Sequence, residues 1–349
     1  MQLSLSDRSF QALQAGQWFK LICGASFQDL PAIRHLAIAY SLAGADCIDV
    51  AAEPAVVAAA QSGITATKSL TDAAIQRGYQ PTAPWLMVSI NDGEDPHFRK
   101  AVFDPTICPA DCSRPCVTIC PADAIAFTPE KQGVIVDRCY GCGRCLPICP
   151  IQIIGEQQHV STPAAVRELL QTGAVQAIEI HTQPDRGSEF RQLWQELSGS
   201  LNQLKLISIS APGGLEHLRL ISELLQSLTP TPLIIWQTDG RPMSGDIGMG
   251  TTHATIALGR QVAAAKLPGY VQLAGGTNNY TVAKLREVKL LKSGGREIFV
   301  SGIAYGSYAR VLLAPLLEQI PGNDKLEDHP DILWAAVDRA ASLVQQIKS

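Results

Sequence analysis

Charged side chains are scarce in this sequence: Asp, Glu, Lys and Arg make up 17% of its 349 residues, and the net charge is −4. Lys and Arg form no long basic run, so we expect no nucleic acid partner. No apolar stretch is long enough to cross a bilayer, so we expect no transmembrane segment. The N-terminus carries Asp7 where a signal peptide would be apolar, and we therefore expect a cytoplasmic, reducing compartment.

Familiar catalytic motifs are also missing. The sequence has no G-x-S-x-G elbow, no Walker loop and no H-E-x-x-H zinc-protease motif. No lysine stands at the end of a predicted strand, which leaves no candidate for a Schiff-base nucleophile. The sequence offers no recognisable catalytic constellation, and the catalytic residues stay unassigned.

Cysteine, in contrast, is concentrated in one stretch that holds eight of the ten cysteines. The second half of the stretch reads C-x2-C-x2-C-x3-C-P, which is the bacterial-type ferredoxin run that binds [4Fe–4S] clusters. Its cysteines are Cys139, Cys142, Cys145 and Cys149. The first half also ends in Cys-Pro but spaces its cysteines by three residues. These are Cys108, Cys112, Cys116 and Cys120.

The residue types of this stretch suit iron–sulfur chemistry. Iron in a cubane cluster prefers soft, anionic thiolate ligands over imidazole or carboxylate. Gly141 and Gly143 accept positive φ and let backbone N–H groups approach the cluster sulfurs. Two β-prone pieces, 124–127 and 133–136, flank a polar turn and predict the ferredoxin hairpin. The stretch therefore predicts a two-cluster, ferredoxin-like module.

The ferredoxin crossover rule predicts which cysteines share a cluster. One [4Fe–4S] cluster is expected on Cys139, Cys142, Cys145 and Cys120. The second is expected on Cys108, Cys112, Cys116 and Cys149, where the wider spacing leaves [4Fe–4S] and [3Fe–4S] both open. Disulfides do not fit a reducing compartment, and zinc sites do not usually carry two C-x3-C-P endings. Cys23 and Cys47 are interpreted as small buried hydrophobic residues.

Outside this stretch, short apolar segments alternate with helical patterns. The predicted strands are 19–24, 47–51, 85–90, 177–181, 206–210, 233–237, 271–274 and 298–301. Eight such repeats predict an α/β fold of the (β/α)8 TIM-like barrel type, formed by residues 1–91 and 160–349. Residues 92–159 would be an inserted ferredoxin-like α+β domain in a βα loop, at the barrel mouth. An open, doubly wound sheet is the alternative.

Two glycine-rich loops predict an anion site at the mouth, because such loops after strands seven and eight commonly bind phosphate. The candidate residues for a flavin phosphate or another anion are Gly275, Gly276, Thr277, Ser301 and Gly302. The loop 244–250 would close over the ligand. Other polar residues expected at the mouth are Ser26, Asp49, Glu53, Asn91, Asp92, His181, Thr182, Gln237, Asp239 and Asn278.

Three blocks of sequence resemble the cyanobacterial light-dependent period family. They are FKLICGASFQDLPAIRHLAIAYSLAGADCIDVAAEP, CPADCSRPCVTICPADAIAF with DRCYGCGRCLPICP, and LAGGTNNYT. The resemblance covers essentially the whole chain and implies an iron–sulfur protein that feeds light-dependent redox state into the circadian clock. It also implies circadian-clock input proteins as partners, and it places the cluster ligands on the same eight cysteines.

Three functions remain open on these grounds. The first is a redox sensor, in which a one-electron change at a cluster biases a partner-binding surface and cellular electron carriers set the cluster state. The second is an iron–sulfur and flavin electron-transfer oxidoreductase with its ligand at the barrel mouth. The third is a binding scaffold in which the clusters only hold the insert together.

Overall fold

The fold is taken from a computed structural model that describes residues 7–159, 161–212, 214–228, 232–240, 248–295, 297–322 and 324–349. Most of the loop 244–250 lies outside the described residues. The described strands are β1 Trp18–Gly24, β2 Cys47–Ala51, β3 Trp85–Asn91, β4 Arg99–Val102, β5 Ile125–Phe127, β6 Gln132–Val134, β7 Gly155–Gln158, β8 Ala177–His181, β9 Leu206–Ala211, β10 Leu233–Asp239, β11 Tyr270–Ala274 and β12 Gly302–Tyr305.

Eight of these strands form a closed parallel barrel in the order β1-β12-β11-β10-β9-β8-β3-β2. The closing pair is β1 with β12, in which Trp18 aligns with Gly302 and Leu21 with Tyr305. The predicted (β/α)8 barrel is confirmed, and the open-sheet alternative is excluded because a closed sheet has no edge strand.

Helices surround the barrel, as its parallel strands require. The helices in the described ranges are α1 Arg8–Ala15, α2 Leu30–Ala43, α3 Pro54–Ala66, α4 Thr71–Gln76, α5 Pro115–Ile119, α6 Cys145–Ile148, α7 Pro163–Gln171, α8 Gly187–Leu201, α9 Gly214–Gln226, α10 Thr252–Ala264, α11 Thr281–Glu287, α12 Ser307–Leu317 and α13 Pro330–Lys348. Of these, α5 and α6 belong to the cysteine-rich insert and not to the barrel. Helix α2 shows why they end where they do: Asp29 accepts a hydrogen bond from Ala32 N, and Gly44 closes the helix at φ 99°. No helix of the described residues is long and apolar enough to cross a membrane.

The barrel interior is layered. Its lower layer is apolar and contains Trp18, Cys47, Trp85 and Met87, packed with the first residues of β8 and β9. Because side chains two residues apart point to the same face of a strand, the next layer is set by residues two positions further on. That layer is polar in β1, β2, β8 and β10, and it lies directly beneath the mouth.

The position of the eighth strand differs from the sequence prediction. Residues 298–301 are apolar and β-prone, but the strand is Gly302–Tyr305. The first residue of this strand must be glycine, because a Cβ at position 302 would lie 2.4 Å from the carbonyl oxygen of Trp18 and close to the Trp18 side chain. A glycine in a strand often marks such a close approach of two backbones. The sequence prediction followed the hydrophobicity of residues 298–301 and overlooked this glycine.

The cysteine-rich insert leaves the barrel at the carboxyl end of β3. Its stem is an antiparallel ribbon, in which Arg99 of β4 aligns with Gln158 of β7. A second antiparallel pair joins β5 to β6, close to the predicted hairpin pieces. The ribbon has no apolar alternation in β7, which is exposed throughout, and sequence patterning therefore missed it.

Candidate functional site

The structure brings the eight cysteines of the insert into two groups. Cys145 lies within electrostatic range of Cys142, Cys139 and Cys120. A cavity is lined by the same four residues, together with Tyr140 and the backbone of Gly141 and Gly143. Cys120 comes from the first half of the stretch, so this group crosses between the halves as in the predicted assignment.

The second group contains the widely spaced cysteines. Cys108 forms a side-chain contact with Cys112 and also interacts with Cys149. Cys116 interacts with both Cys149 and Cys108. Cys149 therefore crosses over from the second half, and the two groups are the sets expected from the ferredoxin rule. Each group offers four sulfur donors, which is the donor set of a cubane cluster.

The loop between Cys139 and Cys145 depends on its glycines. Gly141 and Gly143 have φ values of 71° and 70°, as the sequence predicted. Gly141 is also confined, because a Cβ there would lie 1.9 Å from the carbonyl oxygen of Arg99. The loop is thereby pressed against the β4 ribbon, where Ala101 N donates to Cys139 Sγ at 3.4 Å. Such N–H···S bonds stabilise a cluster's negative charge.

Burial raises the pKa of four of these cysteines, namely Cys108, Cys116, Cys142 and Cys145. Burial, followed by the neighbouring Cys142, Cys139 and Cys120, raises the pKa of Cys145 to about 12. Burial opposes ionisation at Cys149 as well, but backbone N–H groups of residues 151–154 lower its pKa. Because thiolate is the form that binds metal, metal binding would release protons and add directly to the stability of the insert.

Tyr140 connects the group of Cys120, Cys139, Cys142 and Cys145 to the barrel. It lies beside Cys139 in the chain, and its ring packs edge-on against Phe27 at 6.3 Å. The guanidinium of Arg310 lies 4.0 Å from the Tyr140 ring centroid. Arg310 Nη1 donates to the carbonyl oxygens of Ile22 and Cys23, at 2.9 and 2.8 Å. A cysteine loop is thus joined through two side chains to the carboxyl end of β1.

A second contact involves the ribbon of the insert. Lys100 Nζ donates to Val136 O at 2.8 Å and also to the side chain of Gln28. Gln28 in turn donates to Glu53, which lies 2.9 Å from His159 Nε2. Glu53, one of the residues expected at the mouth, therefore contacts His159 at the end of the insert.

The polar layer of the barrel is organised around Lys20, a residue that the sequence reasoning missed. Its ammonium lies 3.3 Å from Asp49 Oδ2 and donates to Glu179 Oε2. Glu179 also accepts from Ser208 Oγ at 2.8 Å and from Gln237 Nε2 at 2.7 Å. All of these side chains are buried, so Asp49 is a hydrogen-bonded core aspartate.

The charges of this layer stabilise one another. Burial disfavours the ammonium of Lys20, but Glu179 and Asp49 raise its pKa above the ordinary value. Burial likewise opposes ionisation of Glu179, yet Lys20 and His181 hold its pKa well below the usual range. Lys20 is therefore a fixed cation and not a free amine nucleophile. The signal for it was a lysine inside the predicted apolar strand of residues 19–24, to which the sequence analysis gave no role.

Above this layer, the mouth holds two histidines and an aspartate from different segments. His97 and Asp95 belong to the turn that begins the insert, and His181 ends β8. His97 Nδ1 lies 2.6 Å from Asp95 Oδ1, and the His97 and His181 rings are 4.9 Å apart. Sequence analysis included His181 at the mouth but passed over both insert residues, which no strand pattern marks.

The five predicted anion-site residues do not come together. Ser301 and Gly302 precede and begin β12, so they lie towards the opposite end of the barrel from the mouth. Gly275, Gly276 and Thr277 do follow β11. Gly276, at φ 98°, is confined by Thr251, whose carbonyl oxygen would be 2.6 Å from a Cβ. Anion binding by these three residues stays a prediction, since tight packing already accounts for the glycine.

The remaining mouth candidates line the ends of the strands. Ser210 donates to Asp239, and Thr277 Oγ1 donates to Ala304 O at 2.6 Å. Asn278 Nδ2 donates to Gly248 O at 2.8 Å. The other predicted residues of this group that are buried are Ser26, Asn91, Thr182 and Gln237. Burial, opposed by Thr182 and Arg186, raises the pKa of Asp92 to about 6.

Comparison with protein families gives two matches. Residues 169–346 match the Light dependent period A C-terminal domain, and residues 108–160 match the LdpA Fe-S cluster-binding domain. The chain is 54% identical over 341 residues to Light dependent period A of Synechococcus elongatus. This match covers 97% of this chain and 93% of that protein. It is also 34% identical over 53 residues to a ferredoxin of Alicyclobacillus acidocaldarius, covering 15% of this chain and 68% of the ferredoxin.

Solved structures match over most of the length but at low similarity. One of them is the YdjI aldolase from Escherichia coli K12, with a TM-score of 0.46 and 9% identity over 98% of this chain and 95% of that one. The match carries no information on function. The two family matches, and a relative that is alike over almost the whole length, are decisive. The chain belongs to the Light dependent period A family, and its cysteine-rich insert is that family's iron–sulfur cluster-binding domain.

Proposed function

We propose that this chain is a redox-sensing regulatory protein that passes light-dependent cellular redox state to circadian-clock input proteins. The relative that covers almost the whole chain is named for a light-dependent period. The observation that carries the proposal is the link from the Cys139–Cys145 loop through Tyr140 and Arg310 to β1. A redox-dependent change in this loop would reach the barrel through these contacts.

The proposed redox groups are two iron–sulfur clusters. Cys139, Cys142, Cys145 and Cys120 would hold a [4Fe–4S] cluster. Cys108, Cys112, Cys116 and Cys149 would hold a [4Fe–4S] or [3Fe–4S] cluster. Cellular electron carriers would reduce or oxidise them by one electron. Each such step changes the charge next to Tyr140 and so the electrostatic environment of the Arg310 guanidinium.

Arg310 is suited to respond to that change. Its guanidinium is shared between the Tyr140 ring and the two carbonyl oxygens at the end of β1. An added electron on the cluster attracts the guanidinium towards the insert and weakens its hold on β1. The surface formed by the insert and the β1 end would then present different contacts to a partner in the two redox states.

The test is made in cells in which the native copy is replaced by a variant. Replacing Cys142 with Ser removes one sulfur ligand, and we expect the clock period to stop responding to light intensity. The matched control is Cys47→Ala, because Cys47 is buried in the barrel and lies outside the insert. A normal light response in the Cys142→Ser strain, with its iron content shown to be reduced, would contradict the proposal.

A second candidate is an electron-transfer oxidoreductase with a flavin at the mouth. The buried charges of Lys20, Asp49 and Glu179 favour it, since such charges often serve a ligand. Against a shared phosphate site, Ser301 and Gly302 lie away from the glycine loop of β11. Flavin absorbance released by denaturing the anaerobically purified protein would move the assignment to this enzyme. Its absence, with oxidant-dependent capture of a clock protein, would favour the sensor.

A further inference from the structure

We propose that Asp95, His97 and His181 form a site for one divalent transition-metal ion, separate from the cysteine clusters. The two histidines and one carboxylate match the ligand preferences of Zn2+ and Fe2+. The site would lie at the mouth of the barrel, where the insert begins. It does not depend on the redox proposal, because its ligands contain no cysteine.

The three ligand atoms are already close together. Asp95 Oδ1 lies 2.6 Å from His97 Nδ1 and 4.0 Å from His181 Nδ1. One atom from each of the three residues can be chosen so that all lie within 4.8 Å of one another. Ligands at the usual bond lengths of about 2.0–2.2 Å from a common ion are separated by roughly 3–4 Å. Small side-chain rotations would therefore complete the coordination.

His181 supplies an independent sign of a missing ligand. Its side chain is only 6% exposed, and its Nδ1 has no hydrogen-bond partner within the part of the chain that the structure describes. A buried ring nitrogen without a partner costs free energy, so such atoms are rare in folded proteins. The nitrogen faces Asp95 and the His97 ring, which is the position that a shared ion would fill.

The surroundings resemble the outer shell of known metal sites. His181 Nε2 lies 3.2 Å from Glu179 Oε1, and like Nδ1 it makes no hydrogen bond within the described residues, so Glu179 faces the ring as a charged neighbour. Gln183 Nε2 donates to the second oxygen of Asp95 at 2.5 Å. Metal-bound histidines and carboxylates are usually held by partners of this kind.

The local charge also favours a cation. Four buried carboxylates surround this part of the barrel, whereas Lys20 is the buried amine among the described residues of the layer below. The carboxylates are Asp49, Asp95, Glu179 and Asp239. Lys20 and the His181 ring already face these carboxylates, and a divalent ion would add to that compensation. His97 is 27% exposed, so one side of the site remains open to solvent and to exchangeable ligands.

The alternative to a metal site is an aspartate–histidine contact without metal. Asp95 Oδ1 also accepts from the backbone N of His97 at 2.8 Å, as the cap of a short 3-10 turn. That turn explains the closeness of Asp95 and His97. That turn does not account for the approach of His181, which comes from a barrel strand and whose Nδ1 lies 4.0 Å from Asp95 Oδ1 without a hydrogen bond.

The experiment uses the anaerobically purified holoprotein, so that the cysteines are occupied by iron. The protein is equilibrated with buffered, micromolar free Zn2+, and bound zinc is counted and examined by X-ray absorption. We expect one zinc per chain with nitrogen and oxygen neighbours at about 2.0–2.1 Å. His97→Ala and His181→Ala should each weaken zinc binding at least tenfold, and Gln183→Ala should weaken it about 10- to 100-fold.

The matched control is His253→Ala, which removes an exposed histidine on α10. It should bind zinc like the wild type. If His181→Ala fails to fold, judged by circular dichroism and cluster absorbance, the half-exposed His97 variant still decides the result. No bound zinc, sulfur neighbours at about 2.3 Å, or unchanged binding in the His97 variant would overturn the proposal.

Discussion

The barrel and the insert are stabilised in different ways. The barrel buries a continuous apolar core between its strands and helices, extending from Phe19 to Ile347. The core of the insert is a separate, small cluster of eight buried residues, four of which are cysteines: Cys116, Cys139, Cys145 and Cys149. The barrel can therefore hold its shape by packing, whereas the insert has too little apolar surface to do so alone.

The comparison also shows where the two regions meet. Tyr140 belongs to the insert by sequence but packs within the main core of the barrel. Asp95 and His97 likewise belong to the insert and reach the barrel mouth. The insert is thus anchored to the barrel at these points, and we propose that a change at the cysteines reaches the barrel through them.

The largest expected effect is the loss of the insert when its iron is removed. Chelation, or Cys142→Ser, should unfold residues 99–158 while the barrel stays folded. The five tryptophans all lie outside the insert, so their fluorescence reports on the barrel alone. We expect visible cluster absorbance to disappear with unchanged tryptophan fluorescence. Simultaneous loss of both signals would show that the two regions do not fold independently.

The next effect concerns the charge inside the barrel. Lys20→Met should lower the free energy of unfolding by about 3–5 kcal/mol, because it leaves Asp49 and Glu179 buried without their cation. Tryptophan fluorescence during denaturation by urea measures this. Lys284→Met, which breaks a largely exposed ion pair with Glu287, should cost at most about 1 kcal/mol. Equal losses in the two variants would argue against a stabilising role for Lys20.

A smaller effect separates packing from backbone strain within one loop. Gly141→Ala and Gly143→Ala share nearly the same φ, so both pay about 1–2 kcal/mol of left-handed strain. Only the Cβ of the first would meet a backbone atom, 1.9 Å from Arg99 O. We expect faster cluster loss in air for Gly141→Ala than for Gly143→Ala, measured by absorbance. Identical rates would mean that the contact with Arg99 is unimportant.

The last effect tests the link between the regions. Arg310→Met removes the contact with Tyr140 and the hydrogen bonds to Ile22 O and Cys23 O, and we expect it to cost about 2–4 kcal/mol and to abolish any dependence of partner capture on the redox state. Arg77→Met removes a similar contact with Trp334, at 4.4 Å on the outside of the barrel. This control should lose less stability, because Arg77 is exposed, and it should keep the redox dependence. Redox-dependent capture that survives in Arg310→Met would exclude this route.

Much of this arrangement was predictable from local sequence. The cysteine spacing, interpreted with the ferredoxin crossover rule, predicted the two groups into which the structure brings these side chains. Alternating apolar segments predicted the barrel. The position of β12 was not predictable from hydrophobicity, because its first residue, Gly302, is required by close contact with Trp18 and not by burial of an apolar side chain. Lys20, Asp95 and His97 were missed because their roles depend on residues more than 80 positions away, brought together only by the fold.

The central claim is that the redox state of the insert changes the hydrogen bonding at the carboxyl end of β1. Hydrogen exchange of the holoprotein, compared between oxidised and reduced samples, measures it most directly. We expect reduction to change exchange in the Cys139–Cys145 loop and also at residues 22–24 of β1, and the β1 change to vanish in Arg310→Met. Exchange that changes in the insert alone, with β1 identical in both states, would contradict the account.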